Sequence, residues 1–298
     1  WKLYQYNLDL MHFPHFNVPM LYSKKFIVTI HDLTLLHFPT VKNSTLHPFF
    51  YRLKFLAYRL AIWSAIGRAR RVIAISKFTR DDIIKEYGAS IGGKMDVVYE
   101  ACEDYCMLSL DETGGFLEKY GIINPYLLYV GNAYPHKNLE KLVLAFNDFQ
   151  KKIEGFQLVL VGKDDYFYGR LRGFISERKI RNVVFLSDIS DYHLDILMHL
   201  AQAFVFPSLY EGFGLPPLEA MAKGSPVISS DHPCMREVLG DSVYFFDGND
   251  IDSISEAMDK IVSDDDLRRA MSSKGYDRVR QYSAKNLSEE TLTGYIKH

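Results

Sequence analysis

Two glutamates separated by seven residues are the side chains of this sequence whose types and spacing best suit chemistry. Glu211 comes just before two glycines, Gly212 and Gly214, and Glu219 comes just after two prolines. Carboxylates accept hydrogen bonds from hydroxyl groups, and a nucleotide sugar carries hydroxyls on both sides of its pyrophosphate. The spacing therefore suits one ligand that lies across both glutamates, with its phosphates between them. The alternative is that Glu219 only complements the start of a helix and that Glu211 is solvated.

The segment around these glutamates is patterned like an anion-binding loop. A buried strand is predicted to precede it, Pro216 and Pro217 mark the start of a helix, and Gly224 marks its end. This pattern places Glu219 in the first helical turn. Gly214 allows the backbone to approach a ligand closely, and the amides after it are expected to be free to bind an anion.

Short apolar runs alternate with helical patterns along the chain, which predicts an α/β fold with doubly wound parallel sheets. The ten predicted strands are Leu8–Phe13, Phe26–Ile30, Arg71–Ile75, Val97–Tyr99, Tyr126–Val130, Gln157–Val161, Val183–Leu186, Ala203–Phe206, Pro226–Ile228 and Ser242–Phe245. The clearest predicted helices are Asn138–Phe149, His193–Ala203 and Ile251–Val262. Such sheets bind ligands beyond the carboxyl ends of their strands, where the loop of Glu211 is expected to lie.

Two other predicted strands end in glycine turns that are followed by a lysine. The first turn contains Gly131 and Asn132 and leads to Lys137, and the second is the pair Gly162 and Lys163. A lysine at the mouth of a helix can neutralise a phosphate and stabilise a leaving group. The alternative for Lys137 is a solvated surface lysine.

A histidine follows one of the predicted strands in the first part of the chain. His31 comes directly after Phe26–Ile30 and is expected at the carboxyl edge of its sheet. The alternative is a structural histidine paired with Asp32. Two residues are predicted to cap helices, Ser76 and Asn138.

The string from Pro207 to Ile228 is similar to the E-x7-E signature of glycosyltransferase family four, whose members are retaining enzymes of the GT-B fold. The resemblance covers nearly all of the chain and implies two Rossmann-like domains that face a cleft. It implies that Glu211 contacts hydroxyls of the donor sugar and that Glu219 binds the ribose. It also implies that amides around Phe213, Gly214 and Leu215 bind sugar and phosphate.

The resemblance assigns roles to other positions as well. It implies that His31 lies against the donor sugar, that Lys137 binds phosphate, and that the segment around Ile189 recognises the base through its backbone. Asn132 departs from the family pattern, which usually has a more basic residue there. The implied catalytic residues are His31, Lys137 and Glu211. The implied donor-binding residues are Gly131, Asn132, Lys137, Gly162, Lys163, Ile189, Glu211, Gly212, Phe213, Gly214, Leu215 and Glu219.

The implied activity is transfer of a hexose from a nucleotide-diphosphate sugar to a saccharide or lipid-linked acceptor in surface polysaccharide synthesis. The pattern is most like mannosyl- and rhamnosyltransferases, which makes GDP-mannose the first donor to consider. No cofactor and no metal are expected, and no enzymic nucleophile is evident, which fits the front-face retaining mechanism proposed for this family. The alternatives are a catalytically inactive nucleotide-sugar-binding remnant and a hydrolase or epimerase on the same fold.

The predicted organisation is an acceptor-side domain over residues 1–105, a donor-binding domain over 106–275, and a helix over 276–298 that crosses back to the first domain. A turn-rich segment from Asp111 to Gly115 lies near the predicted boundary. Members of the family begin with an earlier strand and glycine-rich loop, so the first domain is expected to be incomplete and the activity of the chain uncertain.

Composition and residue spacing argue against a nucleic-acid partner and against a metal site. The net charge of −2 gives no overall electrostatic attraction for nucleic acid, so no nucleic-acid partner is expected. Cys102, Cys106 and Cys234 lack the spacing of a zinc site and are expected to be thiols in a reducing, cytoplasmic compartment. The acidic runs Asp164–Asp165 and Asp264–Asp266 are interpreted as helix starts rather than metal ligands.

The aromatic and basic segment 48–71 has two interpretations. One is a helix that packs on the core and has a charged outer face. The other is an interfacial helix that makes peripheral contact with anionic lipid on the inner face of a membrane. The sequence leaves the oligomeric state open.

Overall fold

A computed structural model describes residues 2–39, 48–102 and 113–296 and shows two parallel β-sheets. The strands are β1 Met11–Phe13, β2 Phe26–Ile30, β3 Arg71–Ala74, β4 Met95–Val97, β5 Tyr126–Val130, β6 Gln157–Val161, β7 Val183–Leu186, β8 Ala203–Phe206, β9 Val227–Ser230 and β10 Tyr244–Phe246. Their alternation with helices confirms the predicted α/β class.

The helices of the described residues are α1 Lys2–Gln5, α2 Thr34–His37, α3 Pro48–Arg68, α4 Lys77–Tyr87, α5 Thr113–Lys119, α6 Leu139–Phe149, α7 Tyr166–Glu177, α8 Asp191–Leu200, α9 Leu215–Ala222, α10 Pro233–Leu239, α11 Ile251–Ser263, α12 Asp265–Val279 and α13 Ala284–Ile296. Short 3-10 helices span Ala89–Lys94 and Pro135–Lys137. None of the helices in these residues is long and apolar enough to cross a membrane.

The chain divides into two compact units. The first contains Trp1–Ala101, Glu211–Phe213 and Ala284–His298, and the second contains Cys102–Tyr210 and Gly214–Ser283. The predicted boundary between residues 105 and 106 lies outside the described residues, as do Cys106 and Asp111. Helix α13 therefore belongs to the first unit, whereas α12 belongs to the second.

The sheet of the first unit has the order β1-β2-β3-β4 with all strands parallel. One face of β2 packs with Ile62 and Ile66 of α3 in a buried cluster. The other face, which includes Ile27, is covered by side chains of α13 such as Leu287 and Tyr295. His12 on β1 fixes this helix to the sheet, because its Nδ1 lies 2.6 Å from the hydroxyl of Tyr295.

The sheet of the second unit has the order β10-β9-β8-β5-β6-β7, again with all strands parallel. The chain runs outward from β5 to β7 and then returns to place β8 on the other side of β5. The order therefore reverses between β5 and β8. In open parallel sheets this reversal leaves a crevice at the carboxyl ends of the two strands, and ligands bind there.

Five predicted strands have the observed bounds, and the others differ at their ends. The first strand begins at Met11 instead of Leu8, and β4 covers Met95–Val97 instead of the predicted Val97–Tyr99. The reason for the second difference is register, since Val97 pairs with Ala74, the last residue of β3. Residues beyond Val97 consequently have no neighbouring strand on that side. Strand β3 ends one residue before its predicted end, and β9 and β10 begin one and two residues later than predicted.

Helix α3 packs on the core, as the first interpretation of segment 48–71 predicts, but its outer face differs from the predicted charged face. Its inner face is buried, with Ile62 and Ala65 in the core. The outer face is not simply charged, because Phe49, Leu53, Leu56, Leu60 and Trp63 are each 48–65% exposed. Their spacing of four, three, four and three residues aligns them along one side of the helix.

Candidate functional site

Two loops meet at the point where the second sheet reverses its strand order. Asn138 Nδ2, in the loop after β5, donates hydrogen bonds to the carbonyls of Pro207 at 3.2 Å and Gly248 at 2.7 Å. The amide of Leu209, in the loop after β8, donates to the carbonyl of His136 at 2.8 Å. These bonds hold the loops after β5 and β8 together, and the bond to Gly248 adds the loop after β10.

Asn138 occupies the predicted N-cap position of α6, but its side chain does not cap the helix. The residue has a left-handed backbone with φ 62°, and its side chain makes no capping bond to the helix. The amide nitrogen is instead used to tie the two loops together, which is possible because asparagine tolerates this conformation. The prediction of the position is confirmed, and the prediction of side-chain capping is wrong.

Lys137 lies in the 3-10 turn Pro135–Lys137, within the loop after β5. The ammonium nitrogen lies 5.7 Å from the ring centroid of Phe206, the last residue of β8. The side chain is half-buried. A cation is thus held beside the carboxyl end of β8, where an anionic ligand of the crevice would be stabilised. This placement disfavours the interpretation of Lys137 as a solvated surface lysine.

The two predicted donor glycines, Gly131 and Gly162, are in direct contact. Gly131 has φ 149°, and a Cβ there would lie 2.7 Å from the hydroxyl of Tyr129. A Cβ on Gly162 would collide with the carbonyl oxygen of Gly131 and with the hydroxyl of Tyr168. That hydroxyl donates to the Gly131 carbonyl at 2.8 Å. The ends of β5 and β6 are thus packed so closely that only glycine fits.

The remaining predicted donor residues of the second sheet's loops have different surroundings. Asn132 is engaged in its own turn, because its Oδ1 accepts from the amide of Tyr134 at 3.2 Å and its carbonyl accepts from Tyr129 at 2.7 Å. Lys163 is exposed beyond β6, and Ile189 is half-buried just before α8. Their predicted roles toward a donor stay predictions.

Helix α9 begins earlier than the prolines suggested. Gly214 is its N-cap with φ 98°, and a Cβ there would lie 2.7 Å from Cε of Met235. Pro216 and Pro217 have no N–H group, so the prediction of a run of free amides after the glycine is wrong. In the first helical positions from Leu215 to Pro217, the amide of Leu215 is the backbone donor offered to an anion.

Glu219 is the fifth residue of α9 and is half-buried. The prediction that it lies in the first helical turn is wrong, because the helix begins at Leu215. The favourable interaction of a carboxylate with a helix N-terminus falls off within the first turn. Glu219 lies one residue beyond the first turn, so its two interpretations, a carboxylate that complements the helix start and a ligand-binding residue, both stay predictions.

The segment Glu211–Phe213 belongs to the first unit and lies against the end of β2. A Cβ on Gly212 would collide with the carbonyl oxygen of His31. The ring of Phe213 lies 6.1 Å from the ring of Tyr99, which follows β4. The structure therefore brings together the backbone segments of two predicted catalytic residues, His31 and Glu211.

The imidazole of His31 lies beside an acidic side chain that the sequence analysis missed. Its Nε2 is 3.7 Å from Oε1 of Glu100. Burial and the neighbouring His15 lower the pKa of His31. Burial and the charge of Asp32 raise the pKa of Glu100. Both shifts favour neutral side chains at this edge of the sheet.

The suggested pairing of His31 with Asp32 is replaced by other contacts. Asp32 Oδ1 accepts a hydrogen bond from the amide of Thr34 at 2.8 Å. Glu100 could have been found from the sequence, because it follows the last strand of the first sheet just as His31 follows β2. His31 and Glu100 both border a cavity of about 590 Å³ between the sheet and α13.

The acidic runs serve as helix caps, as predicted. Asp165 accepts from the amides of Phe167 and Tyr168 at the start of α7. Asp264 accepts from the amide of Leu267 at the start of α12. In the part of the chain that the structure describes, no three His, Cys, Asp or Glu side chains are grouped to hold a metal ion. Cys102 and Cys234 are buried, and no disulfide joins them.

Comparison with known proteins identifies the family. The family described as Glycosyl transferases group 1 matches residues 119–278, and Glycosyltransferase Family 4 matches residues 2–102. The chain is 29% identical to O-antigen chain mannosyltransferase B of Escherichia coli, covering 99% of this chain and 76% of that protein. It is 30% identical to O-antigen chain mannosyltransferase RfbU of Salmonella typhimurium strain LT2, covering 88% and 70%.

A solved structure supports the same fold. The chain superposes on Anabaena HepE in complex with UDP and glucose with a TM-score of 0.81 at 18% identity. The match covers 100% of this chain and 81% of that one. Together with the two parallel sheets and the glycine loop before Glu219, these matches show that the chain belongs to the family-four, group 1 glycosyltransferases and has the GT-B fold.

Proposed function

We propose that this glycosyltransferase moves a mannosyl residue from a nucleotide-diphosphate sugar, with GDP-mannose as the first candidate, to a saccharide or lipid-linked acceptor in surface polysaccharide synthesis. The observation that carries the proposal is the site at the carboxyl ends of β5 and β8, where the strand order reverses. There Lys137 and the start of α9, with Glu219 in its second turn, are placed by closely packed glycine loops. The names of the two mannosyltransferase relatives support the choice of sugar.

The proposed reaction retains the configuration at the anomeric carbon. The bond from that carbon to the β-phosphate oxygen breaks, and a bond to the acceptor oxygen forms on the same face. The proton of the acceptor hydroxyl passes to the departing phosphate. Lys137 and the amide of Leu215 stabilise the charge that develops on the diphosphate. Glu219 binds the ribose, and Glu211 and His31 act at the donor sugar.

The donor is tested by calorimetry of the purified chain against GDP-, UDP-, ADP- and dTDP-sugars. We expect binding of GDP-mannose and its loss in Glu219→Ala, because the ribose hydroxyls lose their acceptor. Glu256→Ala is the matched control, since Glu256 is an exposed glutamate on α11 of the same unit. A preference for a UDP-sugar, the nucleotide present in the HepE complex, would overturn the choice of GDP-mannose.

Turnover separates the enzyme from an inactive sugar-nucleotide-binding remnant. Transfer to a mannose-terminated saccharide is followed with the donor that binds, in buffer with and without EDTA. The expected result is a product with the anomeric configuration of the donor at a rate that EDTA does not change. Donor binding without any transfer would favour the remnant, and an inverted product would refute retention.

We also propose that α3 makes peripheral contact with an anionic membrane surface on the cytoplasmic side. The exposed stripe of Phe49, Leu53, Leu56, Leu60 and Trp63 lies opposite the buried face of the helix. The helix also carries Arg52, Lys54, Arg59 and Arg68 and no acidic residue, although the whole chain has a net charge of −2. An apolar stripe with flanking cations suits the boundary of an anionic bilayer.

The membrane proposal predicts co-sedimentation with phosphatidylglycerol vesicles and much weaker co-sedimentation with phosphatidylcholine vesicles. Leu56→Glu should reduce binding to the anionic vesicles by at least about tenfold, because it places a charge in the apolar stripe. Ile123→Glu is the control, since Ile123 is a comparably exposed apolar residue of the second unit. Equal binding by Leu56→Glu and the wild type would refute the proposal, as would a stripe that is covered by a second copy of the chain.

A further inference from the structure

Two buried hydroxyls at the start of α4 contact the backbone of both predicted catalytic segments in the first unit. Ser76 Oγ donates to the carbonyl oxygen of Gly212 at 2.6 Å, and Thr79 Oγ1 lies 3.1 Å from the same oxygen. Thr79 Oγ1 also lies 3.3 Å from the carbonyl oxygen of His31. One pair of side chains thus bridges the residue after β2 and the residue next to Glu211.

Helix capping does not account for these contacts. Capping of α4 uses Ser76 Oγ as an acceptor, which receives the amide of Thr79 at 2.9 Å. The hydroxyl protons are not needed for that bond. Ser76 Oγ lies 3.1 Å from Thr79 Oγ1 but closer, at 2.6 Å, to the Gly212 carbonyl oxygen, and Thr79 Oγ1 can donate to the Gly212 or the His31 carbonyl. Ser76 and Thr79 are both fully buried, so water does not compete for these protons.

The contact is tight as well as polar. Because a Cβ on Gly212 would collide with the His31 carbonyl, the two backbones approach as closely as glycine permits. The hydroxyl of Thr79 lies where it can donate to either carbonyl. Removing or displacing the Thr79 hydroxyl would therefore shift the peptide that follows Glu211 relative to His31.

We propose that Ser76 and Thr79 are positioning residues for the transfer reaction, fixing Glu211 relative to His31 through the carbonyls of Gly212 and His31. The inference rests on the proposed function of those two residues at the donor sugar. A reacting group displaced by about 1 Å can lose about 100-fold in rate. The hydroxyls act through the backbone and touch no substrate.

The test compares three variants with the wild type. Thr79→Val keeps the branched shape and the backbone amide that Ser76 caps, but it removes the hydroxyl. We expect kcat to fall at least about tenfold with a smaller proportional rise in the donor KM, because Lys137 and Glu219 of the second unit are untouched. Thr79→Ser restores the hydroxyl and should recover kcat to within about threefold of the wild type.

Thr293→Val is the matched control, because the Thr293 hydroxyl also donates to a backbone carbonyl, that of Glu289 in α13. It should leave kcat unchanged. Thermal unfolding of every variant shows whether the first unit stays folded. An unchanged kcat in Thr79→Val, or an equal loss in Thr79→Ser, would overturn the inference while leaving the proposed function intact.

Hydrogen exchange gives a readout that does not require turnover. Thr79→Val should increase the exchange rate of amides from Gly212 to Gly214 by at least about tenfold, whereas Thr79→Ser and Thr293→Val should not. If the wild type binds no donor and transfers no sugar, the proposed function fails, yet this measurement still decides the structural part of the inference. Unchanged exchange in Thr79→Val would refute it.

Discussion

Replacing Lys137 with methionine is expected to lower kcat by about 100- to 1,000-fold, equivalent to about 2.7–4 kcal/mol of transition-state stabilisation. Negative charge grows on the diphosphate as the bond to the sugar breaks, so a fixed cation stabilises the transition state more than the bound donor. The turn that carries Lys137 is held by the bonds of Asn138 and His136 to the loop after β8. The cation is thus positioned before the donor binds.

Methionine is chosen because it keeps the length and much of the apolar contact with the Phe206 ring, so that the loss of charge is the main change. Steady-state kinetics should show a larger fall in kcat than rise in donor KM, and Lys137→Arg should recover part of the rate. Lys152→Met, which alters an exposed lysine of the same unit, should behave as the wild type. A normal kcat in Lys137→Met would mean that the diphosphate is stabilised elsewhere.

The glycine loops show how much of the site local sequence can predict. The turns at Gly131, Gly162 and Gly214 each follow a short apolar strand, and that pattern was sufficient to place them at carboxyl ends. The contact of Gly162 with the Gly131 carbonyl was not predictable in the same way. It depends on the pairing of β5 with β6 and on the inward turn of Tyr168, which are relations between distant parts of the chain.

Two features of the site, the start of α9 and the second hydrogen bond of Ser76, could not be predicted from the local sequence. The prolines predict a helix start at Pro216, which differs from the observed start by one residue, because Gly214 with its left-handed backbone caps the helix so that it begins at Leu215. Ser76 was predicted as a cap, and the capping bond is present. Its second bond, to a carbonyl 136 residues away, depends on the tertiary fold and has no local signature.

Replacing Gly162 with alanine is expected to lower the free energy of unfolding by about 2–3 kcal/mol and to weaken donor binding. The new methyl group would meet the carbonyl oxygen of Gly131 and the hydroxyl of Tyr168. Moving either the Gly131 carbonyl or the Tyr168 hydroxyl costs free energy, because Tyr168 is buried and its hydroxyl donates a hydrogen bond to that carbonyl at 2.8 Å. Relief of the collision would shift the Gly131 turn and, with it, the loop that carries Lys137.

Urea denaturation and calorimetry with the preferred donor measure the two effects in one variant. Gly173→Ala is the matched control, since Gly173 lies within α7 of the same unit and a Cβ there would meet nothing within 4 Å. Alanine at that position should stabilise the unit by about 0.5–1 kcal/mol, because a helical glycine is entropically costly. If the free energy of unfolding falls in Gly162→Ala and rises in Gly173→Ala, the destabilisation comes from the contact between β5 and β6. A Gly162→Ala variant with unchanged stability and normal donor affinity would show that this contact does not shape the donor loop.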